Sequence, residues 1–282
     1  MLEDLHNATS EIFDKVLKEF KSDVSVKEFF KDEKSLDKFA NEHKEMLLEY
    51  IGTFNDEDRD DQEQCRQFYE AIELPYAIIT KYVNLLKIEL KKYYINRATT
   101  YEDKAAVTED IAYIFESLVN AISHVHIQKE CNSSRLDIRS KFIDYALFNV
   151  HVVWINEVID AILSNDMDNF PQTSAKNCDF TKMVEYPESL MVCMDIALCN
   201  QLDVLHEMVH TKAKILYRYF VKEEFTQAYF VFISLMESSH QFFSLLKELY
   251  YLTYSDLENS FFKLIDMLSY SCLLYTSPSP RD

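Results

Sequence analysis

The sequence predicts an all-α protein, and three observations carry that expectation. The 282 residues include one glycine, Gly52, where an average chain of this length carries about 20. There are five prolines, two of them within the last five residues. Apolar residues recur at three- and four-residue spacing through most of the chain. Hairpin turns, phosphate loops and dinucleotide fingerprints need glycine at fixed positions. The G-x-G-x-x-G fingerprint, the P-loop and the G-x-S-x-G elbow are therefore excluded, with most all-β architectures.

The elements follow in order. Residues 5–21 read as a helix with Ile12, Val16, Leu17 and Phe20 on one face. Val26 to about Phe54 gives a second helical stretch, broken near Lys31–Ser35. The polar run Asn55–Glu63 is the next break. A continuous pattern then covers Phe68–Ile95 through Ile72, Pro75, Ile79, Val83, Leu86 and Leu90. Val107, Ile111, Phe115, Leu118, Ile122 and Val125 mark a further helix, and Asn132-Ser133-Ser134 a polar break. Ile138–Leu163 is the next helix, followed by a polar loop from Asn165 to Asn177 containing Pro171. Helices over 189–220 and 222–252 complete the chain.

The formal net charge is −19, from 29 basic and 48 acidic residues. There is no basic stripe for nucleic acid, and an acidic membrane surface would repel the chain. The acidic start, MLEDLHNATSE, lacks the apolar region of a signal peptide, and no apolar run is long enough for a membrane span. The expectation is a soluble cytoplasmic protein. The six cysteines are scattered, as expected of reduced thiols.

The chain divides into residues 1–131, 136–220 and 221–271. The first block reads as a helical input domain. Its segment Phe68-Tyr69-Glu70-Ala71-Ile72-Glu73-Leu74-Pro75-Tyr76 resembles the proximal-histidine region of bacterial sensor globins. Tyr69 stands where the haem-binding histidine would be, so the resemblance implies a globin-like domain without ordinary histidine-ligated haem; an unassigned helical domain is the alternative. Residues 272–282, from Cys272 to Asp282, are similar to the translation of a common transposase sequencing adapter. They are expected to be foreign to the protein, with the reading frame interrupted near Ser271 and an output domain missing.

Chemistry concentrates in the middle block. His151 lies mid-helix in His151-Val152-Val153-Trp154, on a face with Phe148, Ile155 and Val158. Cys178 follows the polar loop in Cys178-Asp179-Phe180-Thr181-Lys182-Met183. His206-Glu207-Met208-Val209-His210 sets two imidazoles four residues apart, on one helix face with Leu202, Ala213 and Tyr217. Three imidazoles and a thiolate form a complete tetrahedral set, and the soft sulfur favours zinc over magnesium or calcium. Each piece alone is also compatible with ordinary core packing; the ordered combination is what points to a metal.

That combination resembles the chemoreceptor zinc-binding (CZB) family: an early histidine, a Cys-x-hydrophobic-Gly-x-aromatic segment, then His-x-x-x-His. The gaps here are 27, 28 and 4 residues. The resemblance covers about residues 136–220 and implies a four-helix bundle holding one Zn2+ through His151, Cys178, His206 and His210. Trp154 and Phe180 match family positions, whereas Thr181 replaces the glycine and Met183 the aromatic. The family implies regulation of chemotaxis receptors or of cyclic di-GMP synthesis. Four protein ligands leave no open position for a catalytic water, so the chain is expected to be a sensor rather than an enzyme.

Three alternatives stand beside this. His206-Glu207-x-x-His210 is also the zincin peptidase signature, with Glu207 as base. Glu207-x-x-His210 and Glu237-x-x-His240, with Glu3-x-x-His6, match the spacing of di-iron carboxylate bundles. A metal-free helical interaction protein is the third. After His210, residues Ala228, Val231, Leu235, Ser238, Phe242, Leu245, Leu249 and Leu252 keep heptad spacing. This seam reads either as a core helix, with Phe232, Phe243 and Leu246 also apolar, or as a signalling helix in a homodimer. Tyr254-Ser255-Asp256-Leu257 lies where a cyclase domain usually begins in the family.

Overall fold

The computed structural model describes residues 2–53, 59–136, 146–185 and 196–249. Among them no strand occurs, and the chain is built from helices α1 (Leu2–Ser22), α2 (Val24–Lys27), α3 (Glu33–Thr53), α4 (Arg59–Glu70), α5 (Tyr76–Arg97), α6 (Tyr101–Ser134), α7 (Ala146–Leu163), α8 (Asp179–Glu185) and α9 (Ile196–Val221). Residues 225–249 are also helical and are called α10. No helix among the described residues is long and apolar enough to cross a membrane. The expected starts of the helices over 138–163 and 189–220, Leu252, Tyr254–Leu257 and the stretch 272–282 lie outside the described residues.

Two compact units are present. The first comprises Met1–Ser133 with Tyr219–Phe230, and the second Ser134–Arg218 with the chain from Val231 onward. In the first, α1 packs on α3 and α5. Phe13, Val16, Phe20, Leu47, Tyr82 and Leu86 are fully or almost fully buried there. Each such side chain contributes about 1.5–3 kcal/mol on leaving water.

Three predicted elements are corrected. The run Asn55–Glu63 is not wholly a break, because α4 begins at Arg59. Arg59 and Glu63 are good helix formers, aspartates such as Asp60 and Asp61 suit a first turn, and Cys65 and Tyr69 bury a stripe one turn apart. The pattern over Phe68–Ile95 is not continuous: α4 ends at Glu70 and α5 starts at Tyr76, with Pro75 in extended backbone between them. Proline cannot continue a helix through its missing N–H, but suits the start of the next. Lys129 of α6 closes the end of α4 by donating to the carbonyls of Tyr69, at 2.9 Å, and Ile72. Finally, Asn132-Ser133-Ser134 is not a break but the last turn of α6.

Two reversals rely on left-handed backbone. Asn165 has φ 52°, and its N–H bonds Ile162 while that of Asp166 bonds Ala161. Glu223 has φ 57°, with equivalent bonds from Glu223 to Phe220 and from Glu224 to Tyr219. Both are Schellman caps, which satisfy the last carbonyls of α7 and α9. Asn120 of α6 clasps the second reversal: Nδ2 donates to the Glu223 carbonyl at 2.8 Å and Oδ1 accepts from Thr226 N–H at 3.0 Å.

Reduced thiols hold for Cys65, Cys131 and Cys178, which are free, but not for Cys199, which is disulfide-bonded.

Candidate metal centre

The centre lies in the second unit. Asn156 fixes the chain entering it, accepting from Leu136 N–H and donating to the Leu136 carbonyl, both at 3.1 Å. Helix α7 then presents His151 with Ile155, Val158 and Ile159, all buried. The loop after α7 is not structureless. It contains short 3-10 turns at Met167–Asn169 and Ala175–Asn177. Trp154 Nε1 donates to the Gln172 carbonyl at 2.9 Å, tying this loop to α7.

Cys178 is the residue at which the second turn passes into α8. The backbone N–H groups of Phe180 and Thr181 donate toward its sulfur. Burial pushes the thiol's pKa up, and these two donors oppose that shift. The same geometry disposes of the departure at Thr181. Its backbone lies within α8, and its Oγ1 donates to the Ala175 carbonyl at 2.7 Å, latching the helix to the preceding turn. No left-handed conformation occurs there, so no glycine is required.

Helix α9 supplies His206 and His210, one turn apart. Leu202 and Ala213 on that face are buried, whereas Tyr217 is not; it lies at the margin, its ring 5.3 Å from Phe170. Lys212 of α9 donates to Ser234 O at 3.0 Å and Ser238 Oγ at 2.6 Å, holding α10 alongside.

The four expected ligands come together. One donor atom from each of His151, Cys178, His206 and His210 lies within 4.8 Å of all the others, and all four side chains are buried. His151 is 0 % exposed and Cys178 6 %. Their walls are aromatic: Trp154 is 4.3 Å from His210, Phe180 is 4.8 Å from His206, and Phe242 of α10 is 4.6 Å from His151. No hydrogen bond of ordinary geometry reaches either ring nitrogen of His151 or His210, or Nε2 of His206. The Thr173 backbone carbonyl faces His210 as an acceptor outside that geometry, and it opposes the lowering of the His210 pKa by burial.

An unpaired buried polar atom costs about 1–3 kcal/mol. A core that leaves several imidazole nitrogens unpaired around one point is thus an expensive arrangement without an acceptor of their lone pairs. Burial, and then the neighbouring imidazoles, hold the His151 pKa at about 2; burial holds those of His206 and His210 at about 4. All three rings are therefore neutral near pH 7, the form that binds metal. Tetrahedral zinc with nitrogen and sulfur ligands separates its donors by about 3.5 Å. The donors of the observed cluster lie within 4.8 Å of one another, at most about 1.3 Å beyond that spacing.

Neither Glu207 nor the Glu237-x-x-His240 motif joins the cluster, and the side chains of Glu3 and His6 lie outside those described. Glu207 is exposed while both flanking histidines are buried. Glu237 and His240 of α10 are exposed as well. Of the heptad seam, Ala228, Leu235, Ser238, Phe242, Leu245 and Leu249 are buried within the chain, Val231 is half-buried, and Leu252 lies outside the described residues. Sequence reasoning left open whether this helix packs in the core, and it missed Phe242 as a wall of the cluster. In the first unit, the Tyr69 hydroxyl is bonded to His43 Nε2 at 2.6 Å. That imidazole is stacked between Phe39 and Phe68, with centroids at 5.3 and 5.6 Å.

Fold and site together define an all-α protein with a buried cluster of three histidines and one cysteine, able to hold a metal ion. Searches of protein-family models, curated proteins and solved structures match nothing to this chain.

Proposed function

We propose that the chain is a zinc-binding sensory module of a bacterial signal-transduction protein, with the CZB resemblance indicating control of chemotaxis or of cyclic di-GMP synthesis. The observation that carries the metal assignment is the meeting of four buried donors from three separate segments, with imidazole nitrogens left unpaired at the meeting point. The donor set fits zinc: one sulfur and three neutral imidazoles suit a borderline-soft ion in tetrahedral coordination. His151, Cys178, His206 and His210 would hold it. Bound there, the ion supplies positive charge that keeps the Cys178 thiol ionised and links three stretches of chain.

The role is regulatory. Four protein donors close the coordination sphere, and Glu207 is exposed rather than set against the cluster as a peptidase base. Metal occupancy couples to helix packing, because α7, the start of α8 and α9 each lose a tie when the ion leaves. The first unit serves as the input domain, and an output domain completes the signalling protein. The seam that suggested a homodimer is buried within the chain at six of its positions and half-buried at Val231.

Metal stoichiometry by native mass spectrometry tests the assignment. The full chain, purified with zinc supplied, is expected to carry close to one zinc, and Cys178→Ala well below that. Wild type and variant purifying equally free of metal would defeat it.

A further inference from the structure

A pocket of about 580 Å³ opens beside the cluster in the second unit. Val153, Trp154 and Glu157 of α7 form one side, and Gln172, Asn177 and Cys178 the other. Of the four donors, only Cys178 lines it. The three histidines do not line it; Trp154, which does, packs on His210, while Phe180 packs on His206 and Phe242 on His151. The pocket is large enough for a hydrated ion: six waters at about 30 Å³ each fill about 180 Å³. Its lining offers oxygen donors, among them the side-chain amides of Gln172 and Asn177 and the exposed carboxylates of Glu157 and Asp179.

We infer that this pocket is the route by which a hydrated divalent cation reaches and leaves the centre, with Cys178 as the first and last protein ligand it meets. The inference rests on the metal-site reading above and adds its path and order of ligation. Oxygen groups of the lining exchange with the ion's water. The Cys178 thiol then gives its proton to solvent as sulfur displaces a further water. The imidazoles of His206, His210 and His151 complete the set. A route gates passage in both directions, so narrowing it slows uptake and release by the same factor and leaves affinity unchanged.

The test uses the full chain, stripped of metal and mixed with Zn2+ in a stopped-flow instrument. Trp154, the sole tryptophan, lies 4.3 Å from His210 and reports the arrival. Release is followed by transfer of zinc to excess chromogenic chelator. Val153 is 44 % exposed, so Val153→Phe partly fills the pocket without entering the core. Asn177→Phe narrows it from the opposite side, and Val204→Phe, at an exposed position of α9, is the control.

Both pocket variants are expected to slow association and release together by about tenfold, a usual span for on-rate changes among variants of one site. Their Kd stays within about twofold, and the control matches wild type in both rates. Glu157→Gln slows association at low salt only, since an exposed charge is screened by salt. Wild-type rates in both pocket variants would overturn the inference while leaving the metal site intact. A wild-type chain that binds no zinc would instead overturn the metal reading itself.

Discussion

Replacing His151 by leucine separates a metal ligand from a core residue. His151 is wholly buried among Phe180, Phe242 and the two other imidazoles, and neither ring nitrogen has a hydrogen-bond partner. In the metal-free protein each unpaired nitrogen costs about 1–3 kcal/mol. Leucine, of similar size and without polar atoms, removes that cost. The two nitrogens together amount to about 2–6 kcal/mol, and the change of shape from ring to leucine takes back about 1–3, so His151→Leu is expected to stabilise the chelator-treated protein by about 1–3 kcal/mol. Zinc reverses the ranking. At one thousand times its Kd, a ligand bound only by the folded state adds about 4.1 kcal/mol, more than that gain, and the variant forgoes it. The assay is thermal or urea unfolding of both proteins in chelator and in zinc, followed through the second unit by Trp154 fluorescence. The curves should cross: the variant above wild type in chelator and below it in zinc. A variant less stable under both conditions, with no zinc response in wild type, would refute the reasoning and mark His151 as a packing residue.

Three further outcomes follow from the first unit. Tyr69→Phe leaves His43 Nε2 without its partner and should cost about 1–3 kcal/mol in urea unfolding. Asn120→Ala removes the clasp on the Glu223–Thr226 reversal; it should lower stability by about 1–2 kcal/mol and speed hydrogen exchange at the Thr226 amide. His124 is 6 % exposed, stacked on Phe225 at 4.1 Å, and burial holds its pKa at about 4, below the unfolded value of 6.5. The neutral ring thus adds stability that is fully present above pH 6.5 and is lost as pH falls toward 4. That loss is about 3 kcal/mol, so unfolding of His124→Phe should depend less on pH across this window.

The helical class was legible because it rests on composition and period, both local properties. The three histidines and Cys178 were legible as candidates because residue type and spacing are written in the chain. Their convergence was not, since it depends on how α7, α8 and α9 pack. Helix α8 was missed because seven residues show too few turns for a period to stand out. The gap between α4 and α5 was missed because Ile72 and Ile79 keep a helical phase across Pro75, although proline allows no continuous helix there. Asn165 and Glu223 carry left-handed backbone that sequence marks only faintly: Asn tolerates it, but nothing in a glutamate announces it. Phe242 looked like one rung of an apolar seam, and only the fold places its ring against His151.

X-ray absorption at the zinc edge reads the coordination of the ion itself. For the zinc-loaded chain the account gives one sulfur at about 2.3 Å and three imidazole nitrogens at about 2.0–2.1 Å, with the sulfur shell lost in Cys178→Ala. A spectrum of oxygen and nitrogen neighbours alone in the wild type would contradict it.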